Sequence, residues 1–220
     1  MPAFLRAAAC TVSSDVYTLL RDEGHVVDER LFTLTGHLVL EGCWQSVAYV
    51  ERDKEVARRL RREFDLRQPL PAHLAALAAE LDACESVCVH VRRGDYVSDE
   101  QIALVHGALS LDYYGAAAEV IESRVEKARY FVFSDDLPWA REHVMLGGPM
   151  RFLDAAARFS PAVEQRLMAC CHHFIIANST FSWWAAWLGE APGTIVVAPQ
   201  RWFATAEARD GLIPPRWIRA

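Results

Sequence analysis

The sequence predicts an α/β fold built around a parallel sheet. Four short apolar runs, rich in β-branched and aromatic residues, recur along its second half, at residues 87–91, 130–133, 174–177 and 194–197. Helical stretches separate them, at residues 112–124, 138–144, 161–171 and 181–188. Continuous apolar strands alternating with helices belong to a sheet covered on both faces. The third observation is position: the polar clusters of the chain fall just after these runs, at the carboxyl ends where such sheets bind ligands.

Composition sets the outer limits. The chain has 220 residues, 52% of them hydrophobic and 24% charged. That is globular composition, and enough chain for one large domain or two small ones. A net charge of −6 supplies no basic field, so nucleic acid is not expected as a partner and any phosphate must meet a local cluster. No apolar run approaches the ~18 residues of a membrane span. The first ten residues are too weak for a secretory signal. The expectation is a cytoplasmic or peripherally membrane-bound protein with no integral span.

The elements follow in order. Residues 16–22 read as a short helix and 31–40 as one or two strands. Residues 52–64 carry Val56, Leu60 and Phe64 at four-residue spacing, which is helical. The run Arg58-Arg59-Leu60-Arg61-Arg62 reads as a solvated face, with a surface for an acidic partner as the sharper alternative. Gln68-Pro69-Leu70-Pro71 breaks the chain and sets a boundary between residues 1–68 and 69–220. Residues 74–81 resume a helix, and the strand–helix alternation begins after it.

Six cysteines, Cys10, Cys43, Cys84, Cys88, Cys170 and Cys171, sit in apolar runs and read as free thiols of a reducing compartment. The consecutive residues Cys170-Cys171-His172-His173 cannot all face one ion from a regular element, so no metal site is read there.

Three clusters carry chemistry. The first strand runs into His90-Val91-Arg92-Arg93-Gly94-Asp95-Tyr96. Two adjacent arginines at a strand end are costly unless they meet anions, and guanidinium forks match phosphate oxygens. Gly94 allows a turn or a close approach, and Asp95 can orient an arginine or accept a proton. The plainer alternative is an ion-pair network closing the strand. Arg93-Gly94-Asp95 also spells an adhesion tripeptide, which its place after an apolar strand argues against.

The second strand ends in Ser134-Asp135-Asp136. The paired carboxylates suit a metal, a ribose or the N–H edge of guanine; nucleotide contact without a metal is favoured. Capping of the helix begun by Leu137-Pro138 explains them equally well.

The third strand ends in Asn178-Ser179-Thr180-Phe181-Ser182. Hydroxyls at a helix start cap it and offer donors, and the free N–H groups there form a phosphate site. Trp183, Trp184 and Trp187 are spaced for core packing rather than sugar stacking.

With these residues in view, the chain resembles the alpha-1,2-fucosyltransferase family, glycosyltransferase family 11. The likeness begins at Leu40-Glu41-Gly42-Cys43-Trp44-Gln45-Ser46, where Tyr is usual in place of Cys43. It continues through His90 to Tyr96, His106-Gly107, Tyr113-Tyr114, Phe133-Ser134-Asp135-Asp136 with Trp139, and Leu167-Met168. Most specific is Ile175-Ile176-Ala177-Asn178-Ser179-Thr180-Phe181-Ser182-Trp183-Trp184, and Pro199, Trp202-Phe203 and Trp217 fit the tail.

The resemblance implies a two-domain, GT-B type enzyme, with residues 69–220 as its Rossmann-like donor domain and residues 1–68 as the remnant of an incomplete acceptor-side domain. A glycine-rich loop usual near the family's start has no counterpart in residues 1–40. The implied reaction moves L-fucose from GDP-fucose to the 2-hydroxyl of a terminal galactose, with inversion and without a metal or other cofactor. Its partners are GDP-fucose and a galactose-terminated glycan. The alternative is a non-catalytic module that only binds the nucleotide sugar.

On this reading Arg92, Arg93, Asp135, Asp136, Asn178, Ser179, Thr180 and Ser182 contact the donor. Asp95 is the first candidate for the base and His90 the second, with Asp99 and Glu100 nearby. Glu164 stands where Asp is usual. A Golgi location follows only if a membrane anchor has been lost from the start of the chain.

Overall fold

The computed structural model describes residues 17–22, 27–64, 70, 72–154, 159–204 and 211–220. Its centre is a six-stranded, all-parallel sheet: β3 (Ser86–Val91), β4 (Arg129–Ser134), β5 (Met150–Leu153), β6 (His173–Ile175), β7 (Val196–Ala198) and β8 (Ile218–Arg219). The strands lie in the order β5-β4-β3-β6-β7-β8. Chain order therefore runs outward from β3 to one edge, then returns to its other side. This is the doubly wound, Rossmann-like arrangement, and its reversal point lies between β3 and β6.

Period-two alternation divides the strands between two cores. Val87, Val89 and Val91 face one side with Tyr130, Val132, Ile175 and Val197. There they meet α6 (Leu111–Glu122) through Tyr113, Tyr114, Ala117, Ala118 and Ile121, a stripe at helical spacing. Ser110 caps that helix by accepting from Tyr113 N–H. Cys88, Phe131, Phe133, Phe174 and Ile176 face the other side, against α3 (Ala72–Asp82), α8 (Pro161–Ala169) and α9 (Thr180–Gly189). Trp183 and Trp187 are buried in this second core, and Trp183 donates to the carbonyl of Leu212. Every residue of β3 is buried, as a central strand covered on both faces requires.

Two helices from the first part of the chain, α1 (Ala48–Glu51) and α2 (Lys54–Phe64), pack on the same core through Val47, Val50, Ala57 and Leu60. Glu51 accepts the Trp187 indole N–H at 2.7 Å and pairs with Arg216. In the arginine run, Arg58 is exposed and pairs with Glu55. Arg61 instead lies 4.1 Å over the Trp187 ring and donates to the carbonyls of Trp187 and Leu188 near the end of α9. A cation is favoured there by the helix dipole.

Several elements differ from the sequence reading. The described part of the expected helix at 16–22 is a strand, β1 (Thr18–Arg21), paired in parallel with β2 (Leu38–Glu41). Tyr17 and Thr18 favour extended backbone, and four residues are too few for a helix without a packed face. The stretch 31–40, read as one or two strands, holds one, β2, and Glu29–Phe32 before it is a 3-10 turn capped by Asp28. Strands β5 and β8 and the short helices α4 (Gly94–Ser98), α5 (Glu100–Val105) and α1 were not anticipated. The remaining helix is α7 (Leu137–His143).

Cys88 and Cys171 are buried and Cys43 is exposed. Cys10, and all but Leu70 of the Pro-rich boundary at 68–71, lie outside the described residues. No described helix is long and apolar enough to cross a membrane.

Candidate functional site

A cavity of about 600 Å³ opens at the carboxyl ends of β3 and β6, at the point where the strand order reverses. The two strands deliver different chemistry to it. The end of β3 brings His90, and the turn after it Arg92, Asp95 and Tyr96; after β6 come Asn178, Ser179, Thr180 and Phe181. Asp135, just beyond β4, completes the near wall.

Arg92 is the cationic centre. Its Nη2 lies 2.7 Å from Asp95 Oδ1 and its Nη1 2.9 Å from Asp135 Oδ2. Neither contact is an aligned hydrogen bond: Asp95 Oδ1 is buried yet accepts no well-directed N–H. The ion-pair network anticipated as the plainer alternative therefore does form. A phosphate would compete with Asp95 and Asp135 for the same guanidinium edge.

Arg93 turns elsewhere. Its guanidinium stacks 3.6 Å over the Trp139 ring and its Nε donates to Asp136 at 3.3 Å. Its backbone N–H donates to Asp135 Oδ1 at 2.8 Å. Asp136 also caps α7 by accepting from Trp139 N–H. Arg93 and Asp136 thus brace the wall without lining the cavity.

Asn178 holds three loops together. Its amide nitrogen donates to the carbonyls of His106, Gly107 and Trp202 at 2.9, 3.1 and 3.2 Å. The Asn178 backbone carbonyl accepts from the Tyr96 hydroxyl, and the Tyr96 ring stacks on His106 at 5.0 Å. Ser179 caps α9 through Phe181 N–H. Thr180 is exposed at the cavity. The Ser182 hydroxyl is buried and donates to the carbonyls of Ala177 and Ser179. Ser182 therefore shapes the first turn of α9, and its side chain faces inward.

Four buried polar atoms on residues of the cavity wall make no hydrogen bond among the described residues: His90 Nδ1, Asp95 Oδ1, His106 Nδ1 and Asn178 Oδ1. A buried polar atom without a hydrogen bond is expensive. Burial, and then the Arg92 charge, push the His90 imidazole down to about 3. The ring is held neutral near pH 7 and can hydrogen-bond.

Glu164 on α8 was not among the sequence-derived site residues, yet it lines the cavity and is 8% exposed. Burial, reinforced by Asp135 and opposed by Arg92, raises its carboxyl to about 7. One sequence signal pointed to it. Glu164 sits three and four residues before Leu167 and Met168, so a carboxylate occupies the apolar stripe of a helix. Gln45, His106 and Trp202 also line the cavity from distant segments.

Among the expected residues, the structure gathers His90, Arg92, Asp95, Asp135, Asn178, Ser179 and Thr180 around one space, and sets Arg93, Asp136 and Ser182 behind its wall. Asp99 caps α5, accepting from Gln101 and Ile102 N–H. Neither Asp99 nor Glu100 lines the cavity.

Comparison with known proteins adds the following. The family model described as glycosyl transferase family 11 matches residues 54–219. The chain is 32% identical over 194 residues to an alpha-1,2-colitosyltransferase of Escherichia coli, covering 85% of this chain and 64% of that protein. It is 41% identical over 132 residues to the O-antigen biosynthesis glycosyltransferase WbnK of Escherichia coli, covering 59% and 43%. The mouse galactoside 2-alpha-L-fucosyltransferase Sec1 is 30% identical over 137 residues, covering 60% and 37%. The chain thus spans 37% to 64% of the length of these relatives.

Proposed function

Since the chain belongs to glycosyl transferase family 11, we propose that it binds GDP-fucose in the cavity between β3 and β6 and transfers L-fucose to the 2-hydroxyl of a terminal galactose. The observation that carries this is convergence: Arg92 and the N-terminus of α9 meet in one cavity at the switch point of the sheet. A guanidinium fork and a helix N-terminus are two independent means of holding phosphate.

The reaction is a displacement at the anomeric carbon. The bond from that carbon to the phosphate oxygen breaks, and its electron pair leaves with GDP. A new bond forms to the galactose 2-oxygen from the opposite face, which inverts the centre. Charge grows on the diphosphate as the sugar becomes oxocarbenium-like. Arg92 and the α9 N–H groups are fixed in place to stabilise it, with Arg93 braced behind them. These charges take the part a metal plays elsewhere, so none is required in this reading. Ser179 and Thr180 offer hydroxyls to the phosphates, and Asp135 remains the proposed nucleotide contact, with Asp136 behind it holding Arg93.

The proton of the 2-hydroxyl passes to a carboxylate. Asp95 is the proposed base, at the cavity and beside Arg92. Glu164 is a second reading, favoured by a specific observation: its carboxyl is raised to about 7, the range that suits a general base near neutrality. Among the relatives, one is named as a colitosyltransferase, so colitose is the competing donor sugar.

Calorimetry with GDP and GDP-fucose, followed by transfer to lactose, tests the reading. Binding of both with a fucosylated product is expected. A folded protein that binds neither nucleotide would overturn it.

A further inference from the structure

A second cavity of about 290 Å³ adjoins the first, and Gln45 and Thr180 line both. Its character is different. None of its lining side chains carries a charge, and Trp44, Trp183 and Trp184 form much of the wall. Such a space suits a small, neutral, amphipathic ligand and does not suit a phosphate.

Trp44 shows how this wall is built. Its backbone has φ of 48°, the left-handed region that bulky residues avoid. Asp22 holds it there by accepting the Trp44 N–H at 3.0 Å, and the Tyr49 ring packs on its indole edge-to-face at 5.4 Å. The indole Nε1–H is buried and donates to nothing among the described residues. A bulky aromatic residue held in a strained conformation at the cavity, beside Gln45 and the Thr180 hydroxyl, suits a sugar platform.

We propose that this second cavity is the subsite for a neutral pyranose, the terminal galactose of the acceptor. One apolar face of the ring stacks on tryptophan while its hydroxyls meet Gln45 and Thr180. The identity of the sugar rests on the reading of the first cavity as the donor site. The shared wall at Gln45 and Thr180 is where the acceptor hydroxyl reaches the anomeric carbon.

Cys43 makes the test direct, because its exposed thiol lines this cavity while Cys88 and Cys171 are buried. Iodoacetamide labelling at Cys43 is followed by peptide mass spectrometry, with methyl β-galactopyranoside present or absent and with GDP as a separate arm. Near-saturating galactoside is expected to slow labelling at Cys43 about fivefold, leaving Cys84 and Cys170 unchanged. Trp44→Ala is expected to weaken that protection about tenfold while GDP affinity stays unchanged, and Trp44→Phe to restore most of it. Cys43 labelling that ignores galactoside in the wild-type protein overturns the subsite, as does protection by GDP alone. Failure of GDP to bind anywhere would instead remove the donor reading, because the galactoside arm is read without it.

Discussion

Gly94 lacks a side chain where the carboxylate of Asp135 needs the space: a Cβ on Gly94 would lie 2.6 Å from Asp135 Oδ2. That oxygen is the one paired with Arg92, while Oδ1 accepts the Arg93 N–H. The glycine therefore joins the first polar cluster to the second. Gly94→Ala should push the carboxylate off Arg92, weaken GDP binding about fivefold, and lower stability by about 1 kcal/mol. Calorimetry and a urea melt measure both, and unchanged GDP affinity would show that this packing is incidental.

The two arginines should separate on mutation. Arg92 lines the cavity, whereas Arg93 lies over Trp139. Arg92→Ala should cost about 2–3 kcal/mol of GDP affinity, the loss of a charged partner to phosphate. For Arg93→Ala the expected loss is about 1 kcal/mol, with a parallel drop in thermal stability as α7 loses its brace. Equal effects from both would mean that Arg93 swings into the cavity when ligand binds.

Glu164 sets a pH dependence of stability. Its folded carboxyl is raised from 4.5 to about 7, first by burial and then by Asp135. The folded protein therefore binds the proton more tightly than the unfolded chain does. Its contribution is complete below pH 4.5 and is lost as pH rises through about 7. Glu164→Gln should stabilise the protein at pH 8 by on the order of 1–2 kcal/mol, allowing for solvent in the cavity, and do little at pH 4. Denaturant melts at the two pH values check this, and a uniform shift at both would sink it.

His90 runs the other way. Its imidazole is depressed from 6.5 to about 3 by burial and then by Arg92. The stability it contributes is present above pH 6.5 and is lost as pH falls toward 3. Ring chemical shifts in a ¹³C-labelled sample should show a neutral His90 throughout pH 5–8. A midpoint near 6.5 would contradict the buried placement.

The base is the carboxylate whose loss stops turnover. Asp95→Asn is expected to lower kcat about 10²- to 10⁴-fold. If Glu164 takes the proton instead, Glu164→Gln carries that loss and removes the acid limb of the pH–rate profile near pH 7. Steady-state kinetics on both variants separates the two.

The sequence by itself determined four of the six strands of the central sheet and most of the polar residues of the cavity wall. Runs such as Val87-Cys88-Val89 are buried on both faces in any parallel sheet, so they announce themselves without a partner. The polar clusters stood at strand ends because chain order alone puts them there. Residues 16–22 misled because so short a run has no periodicity of its own; its pairing with β2 decided its conformation. Strands β5 and β8, four and two residues long, lie at the sheet edges and carry too little pattern to see.

Only the tertiary structure decided which members of each cluster face the cavity. Arg92 and Arg93 are chemically alike and adjacent, yet one reaches Asp95 and the other stacks on Trp139. Glu164, His106 and Gln45 join the site from remote segments. The physical reason is range: strand and helix patterns are local, whereas a side chain's charge state and direction depend on neighbours that folding brings from elsewhere.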